Sequence, residues 1–112
     1  PVKPKRLDEQ LNLAYYQQNN IGDSMEKIYG AVIKEQGVTF AIVVVKSHVF
    51  NTPGSRDEAA NAFSVYFPGM PIILMRQDSQ GTPEYFGRKD IVNFLSNIDP
   101  AQIPWQEYTF NS

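Results

Sequence analysis

Apolar and polar positions alternate along this chain in two rhythms, one close to the helical repeat and one close to the strand repeat. Near the start, Leu7, Leu11, Ala14 and Tyr15 follow helical spacing, while Leu13 to Tyr16 fits a short buried strand equally well. The pattern predicts an irregular or helical lead-in followed by a strand over about residues 11–17. Asn19, Asn20 and Gly22 mark a loop after it. Met25, Ile28, Tyr29, Val32 and Ile33 then recur at intervals of three and four. With Asp23 and Glu26 as a reciprocal cap and Gly37 as a stop, they predict an amphipathic helix over residues 24–36.

Val38 to Lys46 reads VTFAIVVVK, an almost continuous β-branched run. Such a run suits a central strand buried on both faces, with helices on either side of the sheet. Asn51, Pro53 and Gly54 predict a loop. Ser55 and Glu58 suggest a second capping box, and Ala59, Ala62, Phe63 and Tyr66 line a second helix ended by Pro68 and Gly69. Ile72 to Met75 is a strand, Asp78 to Gly81 a turn, and Pro83 to Phe86 an edge strand that tolerates its proline. Ile91, Val92, Phe94, Leu95 and Ile98 mark a third helix from Arg88, which stops before Asp99-Pro100 because the residue preceding a proline is pushed out of the helical region. The predicted order is therefore β-α-β-α-β-β-α, in an α/β domain. Its first strands are joined in parallel through helices, and its last two form an antiparallel hairpin.

Length and composition narrow the classes. At 112 residues, with 42 % hydrophobic residues, the chain is expected to form one compact domain rather than two. A formal net charge of −2 gives no reason to expect nucleic-acid binding or attraction to anionic membranes. Lys3, Lys5 and Arg6 make residues 1–10 a short basic arm. No apolar run approaches the roughly 18 residues of a membrane span. No secretory signal is visible in the sequence, and a cytoplasmic location is expected on that basis. The chain contains no cysteine, so disulfides, thiolate metal sites and thiol redox chemistry are excluded for it.

Three stretches resemble the thioredoxin-like superfamily, most closely its small glutaredoxin branch. They are Gln36-Gly37-Val38-Thr39-Phe40, Gly69-Met70-Pro71-Ile72-Ile73, and the Gly87 to Asp90 turn at the start of the last helix. The resemblance covers about residues 11–98. It implies a three-layer sandwich around a mixed four-stranded sheet, with a basic arm at 1–10 and an aromatic tail at 99–112. It further implies a groove built from Met70, Pro71, Gly87, Asp90 and Tyr16, in which the backbone of Met70 would meet a peptide or glutathione and Asp90 the glutathione amino group. The redox motif of the family is absent: where it belongs, this chain reads Ile21-Gly22-Asp23-Ser24-Met25. Ser24 has no adjacent general base and is expected to share a helix cap with Asp23.

Among other chemistry-bearing residues, His48 is the only histidine and follows the central strand, where ligands gather in α/β sheets. A lone histidine there is more often structural and no metal-ligand spacing accompanies it, so His48 is kept with Ser24 as a candidate polar site, with no catalytic role and no metal expected. Carboxylate pairs such as Asp57-Glu58 fit helix starts. The tail contains Trp105, Tyr108 and Phe110. It either packs Ile103 and Trp105 onto the body or docks a partner. The functional expectation is a redox-inactive module that binds another protein or itself. The alternative is a small-molecule or glutathione-binding protein without thiol chemistry, and in either case no other cofactor is expected.

Overall fold

The computed structural model describes residues 25–111, with side chains over 27–110. The basic arm, the strand expected over 11–17 with Tyr15 and Tyr16, the loop at 19–22 and the Asp23-Ser24 cap lie outside the described residues. Five strands and two α-helices follow in the order β-β-α-β-β-α-β. The strands are β1 (Met25–Glu35), β2 (Val38–Val44), β3 (Ile72–Gln77), β4 (Pro83–Phe86) and β5 (Gln106–Asn111). The helices are α1 (Pro53–Ser64) and α2 (Lys89–Ser96), and 3₁₀ turns occupy Ser47–Phe50 and Pro100–Gln102.

The largest correction falls on residues 24–36, where the expected helix is the strand β1. Gln36 and Gly37 do not stop a helix. They form the two-residue turn of a β1–β2 hairpin, with φ of 51° and 82° and Glu35 paired to Val38. Positive φ at both central residues belongs to the turn type whose twist matches the flanking strands. Helical spacing appeared because β1 is covered on both sides. Ile28 and Val32 face one layer while Tyr29, Ala31 and Ile33 face the other, so odd and even positions are both apolar.

A single mixed sheet results, in the order β4-β3-β2-β1-β5. β2 and β3 run parallel through the crossover helix α1, and every other neighbouring pair is antiparallel. The sheet thus has five strands, not the expected four, and its first hairpin replaces the expected parallel crossover. The β3–β4 hairpin follows the expectation. Its turn is fixed by Asp78, whose Oδ1 accepts from the backbone N–H of Gln80 and Thr82 at 2.9 Å each.

The two helices cover opposite faces. Ile91 and Leu95 of α2 pack on Phe40, Ile42, Val44, Ile73 and Met75. Ala59 and Phe63 of α1 lie against Ala41, Val43, Val45, Leu74 and Phe67. The centre of the sheet is dry: Ile73, Leu74 and Met75 are each 0 % exposed. At about 2 kcal/mol per buried side chain of this size, these central strands hold the two layers together. α1 starts earlier than expected. Its cap is Thr52, whose Oγ1 accepts from Ser55 N at 3.1 Å, and Pro53 and Gly54 already belong to the helix. Proline suits the first turn because its missing N–H has no intrahelical partner there.

Candidate functional site

Residues 99–111 are built into the body of the domain. Asp99 caps the short turn at 100–102, its Oδ1 accepting from Ala101 N at 2.9 Å. Ile103 and Trp105 then enter the core at 1 % and 5 % exposure, and the indole N–H of Trp105 donates to Pro100 O at 2.9 Å. These anchors lay β5 along β1, with Ile28 opposite Tyr108 and Lys27 opposite Thr109. Trp105, a candidate for partner docking, is thereby committed to the core.

Alternation along β5 divides its side chains between the two faces. Glu107 turns to the α2 side, where it accepts a hydrogen bond from the Tyr29 hydroxyl and lies 3.9 Å from Lys27 Nζ. Tyr108 and Phe110 turn to the α1 side. The Tyr108 hydroxyl accepts from Val32 N at 3.1 Å and from Gln106 Nε2 at 2.7 Å. Phe110 lies against Tyr66 at 4.9 Å with the rings tilted by 47° and meets Phe67 edge-on at 5.6 Å, while Phe67 meets Tyr108 at 5.4 Å. This half-buried aromatic cluster continues in sequence into Val65, which is 72 % exposed. Gln106, Glu107 and Thr109 are exposed.

The two edges of the sheet differ in chemistry. β4 is four residues long, begins with Pro83, and carries Glu84 in a two-nitrogen ion pair with Arg76, at 3.1 Å to Nε and 2.9 Å to Nη2. Shortness, proline and charge are the usual devices that keep an edge from pairing. β5 has six residues, no proline and no lysine or arginine. Among the described residues, no strand lies beyond it.

His48 lies exposed in the turn after β2, beside the carboxyl ends of the parallel pair. There the Ser47 hydroxyl donates to Gln77 O at 3.2 Å, and Arg76 Nη1 donates to Ser47 O at 3.2 Å. Arg76 also covers the Phe50 ring at 4.9 Å, and Arg56 covers Phe86 at 4.7 Å. These guanidinium–ring contacts tie the crossover to the β3–β4 hairpin. No group of three or more His, Asp or Glu side chains able to hold a metal occurs among the described residues.

The residues expected to form a tripeptide groove are partly brought together. Gly87 packs so closely on β3 that an added Cβ would lie 3.0 Å from Ile72 O, which places it beside the strand entered through Pro71. The peptide bond into Pro71 is trans, and Pro71 O accepts from Ala41 N at 3.0 Å. Met70, however, packs into the α1-side layer, whereas Asp90 opens the helix that covers the other layer. Asp90 is exposed and held by Arg88 through two hydrogen bonds of 2.9 and 3.0 Å. The Arg88 side chain, first of several contributions, draws the Asp90 carboxyl below the usual carboxylate range.

The β5 edge was not singled out by sequence reasoning. The signal for it was the polar–aromatic alternation Gln106-Glu107-Tyr108-Thr109-Phe110, which has the period of a strand. Comparison of the chain with protein families, curated proteins and solved structures gives no match in any of the three.

Proposed function

We propose that this domain is a protein-interaction module without thiol chemistry, and that it binds by adding a partner's extended strand to the edge of β5. The observation that carries the reading is the asymmetry of the sheet. β4 has a proline, short length and an ion pair, whereas β5 offers six residues of backbone edge flanked by the Tyr66, Tyr108 and Phe110 cluster. In strand addition, main-chain hydrogen bonds supply affinity and side chains on alternate positions supply specificity. Arg56 and Arg76 are already used in internal contacts, over the Phe86 and Phe50 rings. The order β-β-α-β-β-α-β lends no support to a thioredoxin-like assignment, and the reading stands without it.

Site-specific photocrosslinking tests this reading. A photoreactive amino acid placed at Thr109 is expected to capture partner chains in a cell extract, and the same group at Ser79, on the β3–β4 turn, is expected to capture none. The captured bands should vanish when an unlabelled excess of the protein competes, and persist when the competitor carries Thr109→Lys. Equal capture at both positions, or competition unaffected by Thr109→Lys, would overturn the reading.

A further inference from the structure

The sequence of β5 is self-complementary about Thr109, and from this we infer that the strand added to β5 is the β5 of a second copy of the chain. The inference rests on the strand-addition reading and names its occupant. Directly opposed residues of an antiparallel pair point to the same face. Two copies related by a two-fold axis through Thr109 therefore place each Tyr108 opposite the partner's Phe110 and each Glu107 opposite the partner's Asn111.

That register keeps the chemistry of both faces consistent. Tyr108 and Phe110 already belong to the α1-side layer, so each copy's aromatic cluster extends into the other's without a break. Aromatic pairs and threonine pairs are among the favourable cross-strand combinations. Glu107, the only charged residue of β5, is set opposite position 111 and not opposite its own copy, and Lys27 Nζ lies 3.9 Å from its carboxylate. A shift of the axis by half a residue would set Tyr108 opposite Thr109, turning one copy's aromatic layer toward the other's polar one. The product joins the five described strands of each copy into one sheet continuous through the dimer, an isologous contact that closes on itself.

Because the chain has no cysteine, single introduced thiols give a clean test. Across the axis the two Thr109 Cα atoms lie roughly 5 Å apart, within disulfide reach. The two Gln106 residues are six positions out of register, roughly 20 Å apart. Under mild oxidation Thr109→Cys is expected to form a covalent dimer rapidly, while Gln106→Cys and Ser79→Cys form no disulfide-linked dimer. Sedimentation equilibrium of the unmodified chain should show a dimer whose dissociation constant rises at least about tenfold in Thr109→Lys, which opposes two cations across the axis. Circular dichroism and Trp105 fluorescence establish that the exposed substitution leaves the fold intact. A monomer at all concentrations, or equal crosslinking by Thr109→Cys and Gln106→Cys, would overturn self-pairing. If a different protein is nevertheless captured at Thr109, strand addition holds and only its occupant is wrong; if nothing is captured there, both fail.

Discussion

Gly30 shows how a single residue decides whether these strands can pair. A Cβ built at this position would lie 1.9 Å from Ile42 O and 3.0 Å from Ile42 C, both backbone atoms of the neighbouring strand that cannot swing aside. Gly30→Ala must therefore separate β1 from β2. A loss of about 3 kcal/mol is expected from overpacking of this kind, read by urea unfolding through Trp105 fluorescence. Tyr85 presents the opposite case, because its buried hydroxyl has no hydrogen-bond partner among the described residues, and burial raises its pKa. Tyr85→Phe removes a polar atom that gains nothing from folding, so it should leave stability unchanged or raise it by about 1 kcal/mol. The pH dependence has a definite sign. The unfolded chain releases the tyrosine proton near pH 10, the folded chain only higher, so the contribution of Tyr85 to stability is constant below that value and declines as pH rises toward the folded pKa. Tyr85→Phe should flatten part of that alkaline decline in a series of unfolding curves.

At the scale of the element, α1 and β1 illustrate different relations between sequence and structure. None of the residues of α1 is fully buried, so the helix depends on local stabilisation more than a core helix does. Its start is held by the Thr52 side chain and by Pro53 in the first turn. Thr52→Ala is expected to cost about 1 kcal/mol, with accelerated amide exchange confined to the first turn of α1. The helix itself was legible from Ala59 and Phe63; its cap was misassigned because Ser55, Thr52 and Asn51 are all good cap residues, and it ends at Ser64, before Tyr66. β1 was misread because a strand covered on both faces loses the alternation that identifies strands. Two signals against a helix were present. Gly30 in a helix interior costs about 1 kcal/mol relative to alanine, and Gln36-Gly37 between two apolar runs has hairpin-turn character. β3, β4 and α2 were legible because their turn and proline signals are local.

For the whole molecule, the order of strands determines what can be a site. Met70 packs in the α1-side layer and Asp90 opens the helix that covers the other layer, so the two do not face each other across one surface. The tail that was expected either to pack or to dock divides its labour. Ile103 and Trp105 pack, while β5 forms an edge of the sheet among the described residues. Among the described residues, no helix is long and apolar enough to cross a membrane.

The sequence by itself determined the absence of thiol chemistry, the buried parallel strand pair in 38–46 and 72–77, the helix between them and the closing hairpin and helix. Each of these is written in composition or in signals a few residues apart. Tertiary structure alone decided that 25–35 is a strand, that it pairs with residues 106–111 some eighty positions away, and that β4 and β5 are the outermost of the described strands. Helical and doubly buried strand patterns coincide in sequence, and only the choice of partner separates them. An edge is defined by which strand has no neighbour, and no local pattern of residues contains that information.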